Sequence, residues 1–265
     1  MSTPLVAYQG EPGAFSDAAA RALLGAATRG YATFEDLISA VERGDASYGL
    51  LPVENSIYGA IALSYDLLWE HPELRIVDET EYRIVMNLIG TPEATEEQIC
   101  EIRSHPVALP QVRRYADAHP SWRRVVVEDT AGAVAQIVAA GDPTVGAIGP
   151  ALAAELYGGK ILRAGIQDDV DTFTRFFLLE RGGAARRSLR RACVAFELNN
   201  RPGALRDALS AFADRNLNLR SLVSRPNHRD PFHYRFYCEI ADVDSERLDA
   251  ALGSIDGSAR VFGVY

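Results

Sequence analysis

The sequence lacks several features that would mark a membrane, secreted or metal-binding protein. No apolar run reaches the roughly 20 residues that a membrane-spanning helix needs. The opening segment has no basic region followed by an apolar one, so no secretory signal is expected. Only three cysteines occur in 265 residues, at Cys100, Cys193 and Cys238. Because they are odd in number, far apart and without zinc-ligand spacing, they predict buried thiols in a reducing cytoplasm.

Basic charge is also scarce. Lysine and arginine total 27 against 36 acidic residues, and the formal net charge is −9. A nucleic-acid partner is disfavoured, because phosphate binding requires a basic surface. The local cluster of Arg186, Arg187, Arg190 and Arg191 is interpreted as a solvated linker. The hydrophobic content of 48% is typical of a globular protein, and the length suits two structural units.

Apolar runs alternate with helical patterns along the first two thirds of the chain. For example, a helix is predicted to begin after Thr33 as N-cap and to stop at Gly44, and another is predicted over residues 107–118. Two such runs, joined by an extended segment at residues 76–89, predict a mostly parallel α/β architecture of two lobes. Ligands of such sheets bind beyond the strand carboxyl ends, which places the site in the cleft between the lobes.

A glycine- and arginine-rich stretch at residues 182–190 predicts a linker. The order β-α-β-β-α-β after it predicts a ferredoxin-like module. The predicted larger domain covers residues 1–181, with lobe one at about 1–78 and 158–181 and lobe two at about 79–157. The module takes residues 191–265.

Two glycine-bearing polar strings follow predicted strands in lobe one. The turn from Tyr8 to Ser16 opens a helix, where backbone N–H groups and the helix dipole favour an anion such as a carboxylate. The string from Pro52 to Gly59 offers Asn55 and Ser56 as hydrogen-bonding groups. Each string also has an ordinary structural explanation, as a tight turn or a helix cap.

Two further strings supply the remaining candidates. Ser104, His105 and Gln111 surround a predicted helix start, where Ser104 suits an N-cap and a histidine beside proline is interpreted as structural. The other string runs from residue 168 to 176 and places Thr174 and Arg175 at a strand start. Arginine offers a bidentate fork to a carboxylate, and the neighbouring hydroxyl can donate a directed hydrogen bond.

These strings, in this order, resemble prephenate dehydratases over essentially the whole chain. The resemblance also includes residues 129–133 and 153–158 and the string Thr174-Arg175-Phe176. It implies a cytoplasmic enzyme with two lobes similar to type II periplasmic binding proteins. The module resembles an ACT domain, with residues 201–205 and 224–226 similar to the family's phenylalanine-binding strings.

The resemblance implies roles for individual residues. Thr174 is the expected catalytic threonine, Arg175 is expected to hold a substrate carboxylate, and Asn55, Ser104 and Gln111 are expected to line the active site. Substrate contacts are expected at Ser56, Gly59, Thr172 and Phe176. Contacts to phenylalanine as effector are expected at Asn200, Pro202, Gly203, Ala204, Leu205, Ser224, Arg225 and Pro226.

The implied reaction is the loss of carbon dioxide and hydroxide from prephenate. Aromatisation drives it, so neither metal nor cofactor is expected. The resemblance also implies regulation by L-phenylalanine in a homodimer or homotetramer joined through ACT domains. Thr172 stands where the family usually has asparagine, and Val223 where the regulatory string usually begins with glutamate. Arogenate as substrate, a decarboxylase-like relative that keeps the hydroxyl, and a non-enzymatic amino-acid sensor are the alternatives.

Overall fold

The computed structural model describes residues 4–185, 190–227 and 233–265. Its first lobe contains strands β1 (Leu5–Gln9), β2 (Ala27–Tyr31), β3 (Tyr48–Asn55), β4 (Gly59–Ala60) and β5 (Leu74–Arg83). The helices of this lobe are α1 (Phe15–Leu24), α2 (Phe34–Arg43) and α3 (Ala62–Glu70). Thr33 caps α2 by accepting a hydrogen bond from the backbone of Asp36, and Gly44 ends it in the left-handed conformation. Both helix limits were predicted from the sequence.

The chain then enters the second lobe. Its strands are β6 (Asn87–Gly90), β7 (Glu101–Ser104), β8 (Arg123–Val126), β9 (Val145–Gly149) and β10 (Lys160–Arg163). Its helices are α4 (Arg113–Asp117), α5 (Thr130–Ala140) and α6 (Ala151–Tyr157), with 3-10 turns at Glu96–Gln98 and Leu109–Val112. The helix predicted over residues 107–118 is therefore a 3-10 turn followed by the short α4. The chain returns to the first lobe as β11 (Phe173–Arg181).

The two lobes share one sheet topology. Lobe one has the order β2-β1-β3-β11-β5, and lobe two has the order β8-β7-β9-β6-β10. In each lobe the fourth strand runs antiparallel to the third and is the strand that arrives from the other lobe. The chain therefore crosses between the lobes twice, and a cleft separates them. This arrangement confirms the predicted two-lobed α/β class.

The predicted lobe limits are wrong by several residues. β5 pairs with β11 as far as Arg83, so lobe one extends past residue 78. β10 pairs with β6, so residues 160–163 belong to lobe two. The polar stretch at residues 78–83 of the crossing segment lies inside β5, not between the two sheets. β10 is largely exposed. The sequence pattern therefore does not mark either limit correctly. Residues 186–189 of the predicted linker lie outside the described residues.

The module forms a ferredoxin-like βαββαβ unit, as predicted. Its elements are β12 (Ala192–Leu198), α7 (Ala204–Ala213), β13 (Asn218–Pro226), β14 (Tyr234–Ala241), α8 (Ser245–Leu252) and β15 (Gly257–Val264). The strand order is β13-β14-β12-β15. Within the described ranges, no helix of the chain combines the length and apolarity required to cross a membrane.

Two central strands of this module, β12 and β14, are covered on both faces of the sheet. One face packs on α7 and α8 through Phe196 and Phe212. The other face packs on lobe one, where Tyr237 and Phe262 share a core cluster with side chains of α3 and β11. β15 approaches β5 so closely that a Cβ at Gly263 would stand 2.3 Å from the carbonyl oxygen of Ile76. The module is therefore docked directly against the sheet that carries the Thr-Arg-Phe string.

Candidate active site

A cavity of about 820 Å³ lies between the two lobes. Its polar lining combines lobe-one and lobe-two side chains: Gln9, Ser16, Thr33, Glu35, Asn55, His105, Gln111, Thr130 and Thr174. Aromatic and aliphatic side chains complete the wall: Phe15, Phe34, Tyr58, Ile61, Leu63, Ile84, Met86 and Phe176. A mostly apolar cleft with a few convergent polar groups is the usual form of a small-molecule site.

The hydroxyl of Thr174 is oriented by the side chain of Asn55. These residues are paired across β11 and β3, and the amide nitrogen of Asn55 donates to Oγ1 of Thr174 over 3.2 Å. The amide oxygen of Asn55 accepts from the backbone N–H groups of Ile57 and Tyr58, which fixes its orientation. Because Oγ1 already accepts this hydrogen bond, the hydroxyl proton of Thr174 is free to be donated to a ligand in the cavity.

Lobe two contributes two further polar groups. The side-chain nitrogen of Gln111 donates to the carbonyl of Val107, whereas its buried oxygen has no hydrogen-bond partner among the described residues. Nδ1 of His105 accepts from the N–H of Val107. Burial lowers the pKa of His105, although Asp129 partly opposes this shift. His105 is therefore neutral at pH 7, with its remaining N–H on Nε2.

The cavity offers helix N-termini for negative charge. No lysine or arginine is found among the described residues that line it. Three helices begin at its wall, since Ser16, Phe34 and Thr130 of α1, α2 and α5 all line it. Thr33 and Asp129 each already accept one backbone N–H at the starts of α2 and α5. The N–H groups of a helix start that stay without a partner favour an anion even without a basic side chain. Carboxylates can therefore be held here by backbone groups and neutral amides.

The turn before α1 is braced by a buried carboxylate. Asp17 accepts hydrogen bonds from the N–H of Gly13, from Thr28 and from Arg21. Burial alone would raise the pKa of Asp17, but the hydrogen bonds of Arg21, Gly13 and Thr28 lower it overall. Gly13 has φ +89°, and a Cβ there would meet the Cα of Ala153 at 2.9 Å. Only glycine fits this contact between the two lobes.

The structure places Arg175 outside the cavity. It is buried on β11, while its strand neighbours Thr174 and Phe176 line the cleft. Its guanidinium donates to Glu54 and to Glu239 of the ACT-like module, each at 2.7 Å from Nη2. These contacts do not support the predicted role of Arg175 in holding a substrate carboxylate, because Glu54 and Glu239 already occupy the hydrogen-bonding groups of its guanidinium.

The other predicted site residues divide into two groups. Asn55, Gly59, Gln111, Thr174 and Phe176 line the cavity. Ser104, Thr172 and Ser56 do not appear on its wall. Ser104 donates to the carbonyl of Ile148, and Thr172 donates to that of Asp169. The hydroxyl of Ser56 accepts from the N–H of Phe173 and so ties β3 to the start of β11. These three residues shape the site without facing its interior.

Sequence reasoning missed several wall residues: Gln9, Thr33, Glu35 and Thr130. Each of them lies at a strand end or a helix start, and these positions could have indicated that they face the cleft. His105 was interpreted as structural, yet it lines the cavity.

A smaller groove of about 180 Å³ lies on the module. Of the predicted effector residues, Asn200, Ala204 and Leu205 line it, together with Tyr234 and Phe236 of β14, which the sequence did not reveal. Gly203 stands at the N-cap of α7 with φ +83°. Arg225 instead pairs with Asp66 on α3 at 2.6 Å. Pro202, Gly203, Ser224 and Pro226 are not among the lining residues.

Comparison with known families gives two matches. The profile described as prephenate dehydratase matches residues 6–184, and the profile described as ACT domain matches residues 194–250. Arogenate dehydratase/prephenate dehydratase 1 of Arabidopsis thaliana is 36% identical over 98% of this chain and 71% of its own length. Prephenate dehydratase of Methanocaldococcus jannaschii is 36% identical over 78% of this chain and 76% of its own.

Two solved structures are similar over nearly the whole chain. The prephenate dehydratase of Arthrobacter aurescens, in complex with L-Phe, superposes with a TM-score of 0.88 at 29% identity, covering 98% of this chain and 88% of that one. A protein described as a novel type of quorum quenching acylase also gives a TM-score of 0.88, at 32% identity and with 98% and 97% covered.

Proposed function

Because the chain belongs to the prephenate dehydratase family, we propose that it converts prephenate to phenylpyruvate in the synthesis of L-phenylalanine. The observation that carries this proposal is the hydroxyl of Thr174, which faces the cavity with its oxygen engaged by Asn55. The reaction makes it a carbon–oxygen lyase. It requires a donor for a departing hydroxyl, and the oriented Thr174 supplies one.

The electron flow explains what this donor does. Prephenate carries a carboxylate at one end of its ring and a hydroxyl at the other. The carbon–carbon bond to the carboxylate breaks and releases carbon dioxide, its electron pair moves through the ring, and the carbon–oxygen bond at the far end breaks. The leaving hydroxide gains a proton and departs as water. Thr174 stabilises the negative charge that develops on this oxygen by donating its hydroxyl proton in a hydrogen bond.

The two substrate carboxylates need partners as well. The starts of α1, α2 and α5 and the side chain of Gln111 are the groups at the wall that can serve. Neutral His105 can add an N–H from Nε2. Binding by backbone N–H groups suits a reaction in which one carboxylate is lost, because no buried cation is left unpaired after carbon dioxide leaves.

The experiment is product identification. Purified protein is incubated with prephenate and, separately, with arogenate, and the products are separated by chromatography. Phenylpyruvate from prephenate supports the proposal, whereas conversion of arogenate to phenylalanine alone would favour the arogenate dehydratase activity named for the Arabidopsis relative. A product that retains its hydroxyl, or no product, would contradict the proposal. Thr174→Ala is the control, and it should lose most turnover while its circular dichroism stays unchanged.

An acylase activity lacks support at this site. A threonine nucleophile needs a neighbouring base to take its proton. Among the described residues, the side chain that is hydrogen-bonded to Thr174 is the amide of Asn55, which is no base.

The module is proposed to bind L-phenylalanine in its groove. Tyr234, Phe236 and Leu205 supply an apolar wall for an aromatic ring. Asn200 and Arg201 supply polar groups for the amino-acid backbone. A cytoplasmic homodimer or homotetramer joined through these modules is part of the same proposal. Size-exclusion chromatography with light scattering tests the assembly, and isothermal titration calorimetry with phenylalanine and alanine tests the groove.

A further inference from the structure

Arg175 joins the catalytic strand to the module. Its side chain is only 9% exposed, and it lies on β11 directly after Thr174. On the lobe side it contacts Glu54, and Glu79 lies 3.5 Å away. On the module side both terminal nitrogens of its guanidinium bind Glu239, which is also buried. One guanidinium is therefore shared between carboxylates of two domains.

Glu239 stands on the same strand as the wall of the effector groove. Tyr234 and Phe236 of β14 line that groove, and Glu239 follows three residues after Phe236. Neighbouring positions of a strand point to opposite faces. Phe236 packs on the helix side, and Tyr237 and Glu239 face lobe one. A ligand that shifts β14 in the groove therefore moves the carboxylate that holds Arg175.

We infer that Arg175 is a positioning residue through which Glu239 of the module sets the placement of Thr174. This inference rests on the proposed function and adds a route for its regulation. Arg175 binds Glu54. Glu54 is the neighbour of Asn55 on β3, and Arg175 is the neighbour of Thr174 on β11. The two residues that orient the reacting hydroxyl therefore each have a neighbour in the ion cluster.

Burial makes this cluster sensitive to small movements. Among the described residues, Arg175, Arg191 and Arg220 face Glu54, Glu79 and Glu239, and of these carboxylates Glu79 and Glu239 are buried. Charge interactions are stronger in a low-dielectric interior than in water, and fully satisfied buried networks hold a single geometry. Tyr65 of α3 reinforces the contact, because its hydroxyl donates to Glu239 over 3.1 Å. If Glu239 moves away, its partners Arg175 and Tyr65 have to rearrange before water can take its place.

The first test uses Glu239→Gln, which keeps the shape and removes the charge. The coupling factor is the ratio of kcat/KM without and with saturating phenylalanine. In the unaltered protein kcat/KM is expected to change about 5- to 150-fold, in either direction, and in Glu239→Gln the ratio should be about one. Calorimetry should show that this variant still binds phenylalanine. An unchanged coupling factor in a variant that binds phenylalanine overturns the inference.

Glu101→Gln is the matched control. Glu101 is a second buried carboxylate with two arginine partners, Arg103 and Arg123, but it lies on β7 of lobe two. Loss of a buried charge there should lower the melting temperature yet leave the coupling factor unchanged. If Glu101→Gln abolishes coupling to the same extent, general destabilisation is the cause and the inference fails.

The second test separates positioning from substrate binding. Arg175→Lys keeps the charge and loses the bidentate fork. A positioning role lowers kcat and leaves KM nearly unchanged, because the side chain does not face the cavity. A substrate-carboxylate role would instead raise KM strongly, and that result would overturn the inference. If the unaltered protein forms no phenylpyruvate, the proposed function fails, and this outcome is recognised before any variant is compared.

Discussion

Replacing Thr174 by valine should remove most of the activity without unfolding the protein. Valine keeps the β-branched shape at this strand position and removes only the hydroxyl. Deleting one aligned donor to a developing negative charge costs about 10²- to 10³-fold in kcat, or roughly 2.7–4 kcal/mol. KM should change little, because the lost hydrogen bond strengthens only as the hydroxyl of prephenate departs.

The cost in stability should be small. Thr174→Val leaves the amide nitrogen of Asn55 without this partner, but Asn55 is only partly buried and water can reach it. The loss of one such hydrogen bond amounts to about 0.5–1.5 kcal/mol. For a protein of this size each kilocalorie lowers the melting temperature by roughly 2–4 °C. Thermal unfolding followed by circular dichroism measures this directly.

A double-mutant cycle tests whether Asn55 acts through Thr174. Asn55→Asp keeps an oxygen for the N–H groups of Ile57 and Tyr58 but can no longer donate to the threonine hydroxyl. If the two residues act as a unit, the double variant loses little more kcat than Thr174→Val alone. Near-normal phenylpyruvate formation by Thr174→Val would refute the assigned donor, and fully additive losses would refute the role of Asn55.

Three further predictions concern stability. Asp17→Asn should lower the free energy of unfolding by roughly 1.5–3 kcal/mol, because hydrogen bonds to a charged group are lost while the remaining Arg21 is half exposed. The folded pKa of Asp17 is depressed, so its contribution to stability is lost as the pH falls below about 4. Urea melts should therefore show that the free energy of unfolding of the variant depends less on pH in acid. Because the pKa of His105 is lowered in the folded protein, the unfolded chain binds this proton first as the pH falls. The free energy of unfolding should therefore decrease below about pH 6.5. In His105→Asn it should decrease less. Gly263→Ala should cost about 1–3 kcal/mol in thermal melts and weaken the phenylalanine response, since its Cβ would strike Ile76.

The main features of the fold could be predicted from sequence pattern. Strand and helix periodicity gave the two lobes and the βαββαβ module, and capping chemistry gave both ends of α2. β2 and β10 could not be predicted in this way. Both are short edge strands that are partly exposed, so their apolar periodicity is weak. Local propensity is a poor guide where pairing with one neighbour decides the structure.

The sequence could predict which residues lie close to the cavity but not which of them face into it. Asn55, Gln111 and Thr174 do meet at its wall. Ser104 and Arg175 could not be placed, because the side on which a strand residue lies depends on the sheet and on what covers it. In Arg175 the deciding partner, Glu239, is 64 residues away in sequence. No local pattern contains that information.

The alternation of side chains along a strand explains where the residues of the Thr-Arg-Phe string point, and the residue types alone do not. Thr174 and Phe176 point into the cleft, so Arg175 between them has to point to the opposite face of the sheet. That face is covered by the module, whose sheet packs on helices α7 and α8 on its other side. A buried arginine there without acidic partners would be strongly unfavourable, and Glu239 is one of the groups that satisfy it. The stability of β11 and the docking of the module are consequently linked through one side chain.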